Sequence, residues 1–383
     1  MTDPERIDAV VRARLPRVDM QAVDPLNLFR ITWRNDPHTG GFGEVNAIEL
    51  PSELTGVPAR IIGLVGKHFP TGAHKVGAAF GCLVPRLVSG EFDPTAHRAV
   101  WPSTGNYCRG GAFDSALLGC QAVAILPEEM SRERFEWLRE IGAEVIATPG
   151  CESNVKEIFD MCWEIRRTRP DAVIFNQFDE FGNYIWHHGV TGPAAESVFR
   201  RLAGPSHRLA AWVSATGSGG TLAAGDYLST RFPGCRITAA EALQCPTLLM
   251  AGFGGHRIEG IGDKHVPWIH NVRNTDLVTA VDDEAVMRLL RLFNEPAGGE
   301  VLVAKGVPGE TVENLPLLGL SSICNLLAAV KTARYYELDE NDLLLTCLTD
   351  SVELYHTRLA ELRSDAGEYT EIQAHVDFER FLL

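Results

Sequence analysis

The chain has 383 residues, 45% of them hydrophobic, with 36 glycines; it can bury a large core and is long for one domain, so two lobes are expected. Fifty acidic against 35 basic residues give a net charge of −15, which argues against nucleic acid as the main partner. No apolar run approaches a membrane span, and an odd count of nine cysteines without a CxxC pair or a signal-peptide core predicts reduced thiols in a cytoplasmic protein.

In chain order, residues 7–15 form a short helix candidate, followed by a Pro- and Gly-punctuated segment to about Gly40 that is expected to pack on the larger lobe or across a dimer interface. Thr71-Gly72-Ala73-His74-Lys75 is a small-residue turn that opens a helix over residues 76–88. Apolar runs at 98–101, 122–126, 172–175, 209–215 and 343–345 alternate with helical stretches, the pattern of an α/β fold with parallel strands. Residues 352–383 read as helices whose Leu354, Leu359, Leu362, Phe378 and Phe381 need a partner surface. There is no low-complexity stretch and no internal repeat.

Three segments carry chemistry. A lysine that forms a Schiff base must be partly desolvated and kept near positive charge or dipoles, so that its amine is neutral often enough to react. Lys75, beside a turn of Gly and Ala that lets a flat ring approach the backbone, suits that task. Gly217-Ser218-Gly219-Gly220-Thr221 falls at the carboxyl end of the 209–215 run, where ligands of open α/β sheets sit; its glycines let the backbone curl around a phosphate and its hydroxyls add donors. Ser103-Thr104-Gly105-Asn106 follows another apolar run. Singly, these are a solvated first-turn lysine, a strand-to-helix turn and a helix cap. Together, in this order, they look like a pyridoxal phosphate site.

On these residues the chain resembles the fold type II pyridoxal phosphate enzymes, the tryptophan synthase β-like family that includes cysteine synthases, cystathionine β-synthases, threonine synthases and serine or threonine dehydratases. The likeness runs from about residue 46 to 351. It includes Pro70 to Lys75, the Ser103 to Asn106 loop, the 127–145 stretch with Glu133, Leu138, Gly142, Ala143 and Glu144, then Gln177, His188 and Thr191-Gly192-Pro193, the 255–262 loop, and Gly319-Leu320-Ser321-Ser322. The resemblance implies a two-lobed α/β architecture, each lobe a mostly parallel sheet flanked by helices, with the cofactor between the lobes. Residues 76–185 would be the smaller, mobile lobe, and 1–75 with 186–383 the larger.

It also implies roles. Lys75 would hold pyridoxal 5'-phosphate as an internal aldimine and then move the substrate's α-proton. Asn106 would bond the ring hydroxyl, Gly217, Ser218, Gly219, Gly220 and Thr221 would cradle the phosphate, and Ser321 would face the pyridine nitrogen. Ser103, Thr104, Gly105, Asn106 and Gln177 would hold the substrate carboxylate. A serine at the ring nitrogen does not force it to stay protonated, so the ring is a weaker sink and β-elimination or β-replacement through an aminoacrylate fits better than transamination. The implied protein is a cysteine synthase-like lyase or synthase acting on a small amino acid, as a homodimer. A dehydratase or γ-replacement enzyme on the same scaffold, and a catalytically silent scaffold protein, are the other readings.

Departures from the family lie at Tyr107, Cys108 and Arg109, and at Cys324 and Asn325 after the serine pair. Arg109 either reads a second anionic group on the substrate or points outward to a surface acid. Asp350-Ser351 and Tyr355 read as the start of the C-terminal extension. His256 and His265, which flank Gly260-Ile261-Gly262, and Asp263 and Lys264 are candidates for substrate contact. No metal site is expected: His187 and His188 are adjacent, so they point apart on a helix, and no HExxH is present.

Overall fold

The computed structural model describes residues 1–103, 105–150 and 155–383. Among these described residues, ten strands fall into two sheets. One is built from β3 (Arg98–Pro102), β4 (Gln121–Pro127), β5 (Glu144–Thr148) and β6 (Ala172–Ile174), in the order β5-β4-β3-β6 and all parallel. The other has the order β1-β2-β10-β7-β8-β9, from β1 (Ala47–Leu50), β2 (Arg60–Val65), β7 (Arg208–Ala215), β8 (Arg236–Ala242), β9 (Leu277–Val281) and β10 (Asp342–Leu348). It is parallel except for β1, which runs antiparallel to β2.

The apolar runs seen in the sequence become these strands because a parallel strand covered on both faces must be apolar along its whole length. β10 shows this most clearly: each of its residues is buried, and it lies between β2 and β7. The hydroxyl of its Thr346 is satisfied by donating to the Val213 carbonyl at 2.7 Å. That placement has a functional result. The carboxyl ends of β2, β10 and β7 bring the Lys75 turn, Thr349-Asp350 and the 217–221 loop to one edge, while β3 of the other sheet delivers Ser103 and Asn106.

The Lys75–Ser89 helix packs on the Asn106–Leu117 and Phe181–Trp186 helices. Gly77 permits the contact, since a Cβ there would lie 1.9 Å from the Trp186 ring.

The N-terminal helix is shorter than its sequence pattern suggests. It runs only over Ala9–Arg14, with single 3-10 turns at Pro4–Arg6 and Leu15–Arg17, because Asp8 caps its start by accepting from the Val10 N–H at 2.7 Å and Pro16 supplies no N–H to continue it. Buried Arg30 clamps this segment to its own chain by donating to the carbonyls of Leu15, Val18 and Gly40 at 2.6, 2.7 and 2.7 Å.

The C-terminal helices His356–Ala366 and Glu371–Phe381 also find their partner within the chain. Leu359 and Phe378 are buried in the same core as Leu289 and Leu302, and the last helix packs on Asp283–Asn294 and Pro296–Ala304. Among the described residues no helix is long and apolar enough to cross a membrane.

Candidate active site

Lys75 opens its helix from a tight turn in which Thr71 and Gly72 both take left-handed conformations (φ 68° and 71°). The backbone N–H of His74 donates to the Thr349 carbonyl at 3.4 Å, which docks the turn against the end of β10. Lys75 Nζ is 3.4 Å from the Gln177 Oε1 acceptor.

Beside the lysine stand two buried imidazoles. His74 stacks on Trp33 at 5.3 Å and meets His187 edge-on at 5.3 Å. Burial, reinforced by the charge of Lys75, lowers the His74 pKa to about 3, and burial holds His187 well below the ordinary histidine value. Both rings are therefore neutral at physiological pH, and this flank of Lys75 is a low-dielectric wall.

A cavity opens in front of Lys75. Of the residues singled out from sequence, Lys75, Ser103, Asn106, Gln177, Gly217, Ser218, Gly219, Thr221 and Ser321 line it, and so does Tyr107. Gly105 and Gly220 do not. A Cβ at Gly105 would strike Arg134 at 1.8 Å and one at Gly220 would strike Asn183 at 2.2 Å, so these glycines make room for side chains behind the wall. Moreover, the Gly105 N–H is already donated to Ser103 Oγ at 3.1 Å, which removes it as a donor to a substrate. Thr104 lies outside the described residues.

The residues present fit pyridoxal phosphate. At one end, the 217–221 loop leads through a 3-10 turn, Gly220–Leu222, into the Ala223–Arg231 helix, whose N-terminal dipole favours an anion. Gly219 has φ 78°, and a Cβ on it would approach His270 to 3.0 Å. Ser218 Oγ accepts from Asn183 Nδ2 at 3.0 Å, which leaves its own proton to donate. Thr221 and Ser214 share a hydroxyl contact of 2.6 Å. On other walls, buried Asn106 has an Oδ1 without a partner, and Ser321 sits in the first turn of the Leu320–Tyr335 helix, facing Gly260. A glycine-rich loop at a helix start, an amide, a hydroxyl and an amine on one cavity are the kinds of donor and acceptor that cofactor requires.

Several residues that line or support the cavity were not legible as such. Asn325, four residues after Ser321 and so on the same helical face, lines the cavity; it accepts from the Ala215 N–H at 2.6 Å and donates to the Cys347 carbonyl at 2.7 Å, joining the ends of β7 and β10. Asn183 ties Ser218 to the Gln177 carbonyl, both at 3.0 Å. Asp350 and Tyr355, read from sequence as part of a terminal extension, are instead fully buried next to Asn106.

Other expectations need correction. Arg109 neither lines the cavity nor points outward: it is 4% exposed and lies over the Trp137 ring at 4.6 Å, and burial lowers its pKa to about 10. Cys108 and Cys324, by contrast, are simply small buried thiols outside the cavity, pushed up to about 12 by burial. His256 is buried, accepting at Nδ1 from the Ile258 N–H, and His265 is exposed beside Asp263; neither lines the cavity, nor do Asp263 and Lys264. Among the described residues no group of three His, Cys, Asp or Glu could hold a metal ion.

Two sheets, a lysine at the start of a helix between them and a glycine-rich cup define a cofactor-dependent α/β enzyme. Residues 64–304 match the family model described as "pyridoxal-phosphate dependent enzyme", and the chain belongs to that family. It is 27% identical to a probable cysteine synthase of Bacillus subtilis over 288 residues, 75% of this chain and 85% of that protein. It is 26% identical to cystathionine beta-synthase of Saccharomyces cerevisiae over 322 residues, 82% of this chain and 60% of that protein. Among solved structures, cysteine synthase from Entamoeba histolytica superposes with a TM-score of 0.70 at 22% identity, covering 89% of this chain and 93% of that one, which shows the same fold.

Proposed function

We propose that this protein catalyses β-elimination or β-replacement on a small amino acid that carries a leaving group on its β carbon. The observation that carries the reading is that Lys75, Asn106, Gly217, Ser218, Gly219, Thr221 and Ser321 all line one cavity; the curated relatives named cysteine synthase and cystathionine beta-synthase support it. When bound, pyridoxal phosphate supplies the electron sink that acidifies the substrate's α-proton.

The chain's own residues do the rest. Lys75 Nζ would hold the cofactor at its aldehyde, and the same amine would serve as the general base that takes the substrate's α-proton. Gln177, 3.4 Å from Nζ, orients it. The Ser103 hydroxyl and the first N–H groups of the Asn106–Leu117 helix hold the substrate carboxylate, since a helix start presents unpaired donors. Ser321, a neutral hydroxyl, does not impose a proton on the pyridine nitrogen, which favours loss of a β-substituent over transamination. In this reading residues 76–185 form a smaller lobe that moves against 1–75 and 186–383, and the enzyme works as a cytoplasmic homodimer.

The test is the absorbance spectrum of the purified protein, with Lys75→Ala as control, during titration with amino acids bearing hydroxyl, acetoxy, phospho, thiol, sulfonate or amino groups at the β or γ carbon. A Schiff-base band in the wild type, absent in the variant and displaced by one β-substituted compound, is the expected result and identifies the leaving group. No band after addition of pyridoxal phosphate refutes the proposal, and displacement only by γ-substituted compounds redirects it to γ-replacement.

A further inference from the structure

Behind Asn106 lies a buried polar chain whose members Asp350, Tyr355 and Arg134 do not line the cavity. Asn106 Nδ2 donates to Asp350 Oδ2 at 2.6 Å, and Tyr355 OH donates to the same oxygen at 2.7 Å. Arg134 Nη2 donates to the Tyr355 oxygen at 2.9 Å and stands 3.9 Å from Asp350 Oδ2, while Arg134 Nε pairs with Glu259 Oε2 at 3.1 Å. Arg134, Asp350 and Tyr355 are 0% exposed. The backbone of Asp350 is fixed as well, its carbonyl accepting from the Gly319 N–H at 3.0 Å. Gly319 is needed for this packing, because a Cβ there would lie 1.9 Å from Asp350 Oδ1.

The chain has a direction. A guanidinium has donors only, so the Tyr355 oxygen must accept from Arg134 and pass its own proton towards Asp350. Oδ2 of Asp350 therefore acts as an acceptor, and Asn106 must turn its N–H₂ edge to it. What remains for the cavity is the second N–H of that amide and the partnerless Oδ1. Had the position of Asp350 offered a donor, the amide would turn over.

We propose that Asp350, backed by Tyr355, is a positioning residue that sets which edge of the Asn106 amide faces the cofactor cavity. The proposal rests on the reading of Asn106 as a cofactor contact. It extends that reading to a residue more than two hundred positions away that does not line the cavity.

The experiment is a double-mutant cycle between Asp350 and Asn106, read as the affinity of the apo-protein for pyridoxal phosphate by quenching of tryptophan fluorescence and as the absorbance maximum of the bound cofactor. Thermal unfolding of each apo-variant reports the fold. Asp350→Ala is expected to weaken pyridoxal phosphate binding about tenfold in the wild-type background and to move the absorbance maximum, and to do neither in the Asn106→Ala background. Asp350→Asn, which still offers one acceptor oxygen, should stay within about threefold of wild type.

Equal losses from Asp350→Ala with and without Asn106 overturn the proposal, as does an Asp350→Asn variant as weak as Asp350→Ala. If Asp350→Ala does not fold, Tyr355→Phe takes its place in the cycle: a loss of affinity confined to the Asn106-containing background supports the proposal, and a loss common to both overturns it. A wild-type protein that binds no pyridoxal phosphate refutes the proposed function itself, whereas a wild type that binds it while the cycle is additive refutes only this inference.

Discussion

Gly220→Ala tests whether the phosphate cup is held from behind. Gly220 is not in a left-handed conformation, so alanine is tolerated by the backbone and its effect is steric. The new Cβ would lie 2.2 Å from Asn183 Oδ1, 2.6 Å from its Cγ and 2.7 Å from its Nδ2. Asn183 is fully buried and holds Ser218 and the Gln177 carbonyl, so it has nowhere to move without releasing both. Overpacking of this kind costs about 1–3 kcal/mol, and loss of two neutral hydrogen bonds adds about 1 kcal/mol each. We expect a destabilisation of about 3–5 kcal/mol in urea unfolding of the apo-protein. Affinity for pyridoxal phosphate should fall with it, because Ser218 and Gln177 both lose a restraint. Asn183→Ala in the same chain removes the clashing atoms, so the double variant should lose less than the sum of the singles by at least about 1 kcal/mol. A Gly220→Ala protein within about 0.5 kcal/mol of wild type, with unchanged cofactor affinity, would refute the reasoning.

Two predictions concern pH. Burial pushes the Glu196 carboxyl up, but hydrogen bonds from Arg231, Tyr227 and Arg200 outweigh it and hold its pKa down at about 2; its stabilisation is complete above the unfolded-state value and is lost as pH falls from there towards 2, so Glu196→Gln should flatten that part of the acid limb of a urea-midpoint profile. Asp114 behaves in the opposite sense. It is 0% exposed with neither oxygen hydrogen-bonded, and burial raises its pKa well above the ordinary value. The unfolded chain ionises this group at lower pH than the folded one, so stability falls as pH rises above the unfolded-state pKa, and Asp114→Asn should be increasingly more stable than wild type from pH 5 to pH 8; a stability difference that is constant across this range would refute the assignment of a neutral buried carboxyl.

Much of the fold was legible because its signals are local. A short apolar run between turn residues reads as a buried strand whatever it pairs with, and β3, β4, β7 and β10 contain their expected runs. The Lys75 turn and the 217–221 loop were legible for the same reason: small residues and hydroxyls at fixed offsets carry their geometry with them. The N-terminal helix failed at its two ends, where the Asp8 cap starts it later and Pro16 stops it sooner than apolar spacing alone suggests. The apolar face of the C-terminal helices was legible, but its partner, the core around Leu289 and Leu302, was not.

By itself, then, the amino-acid sequence determined which short segments could bind a phosphate, present an amine or become parallel strands, since these depend on neighbours a few residues away. Only the tertiary structure decided what those segments face. Insertion of β10 between β2 and β7 carries Asp350 and Tyr355 to Asn106 and Arg134, across 244 and 221 residues of chain. The same packing seals Arg109 over Trp137, where local pattern could not say whether it faced substrate or solvent. Burial and hydrogen-bond partners are properties of the packed layers, so the acceptor that orients Asn106 came into view only once the sheets were in place.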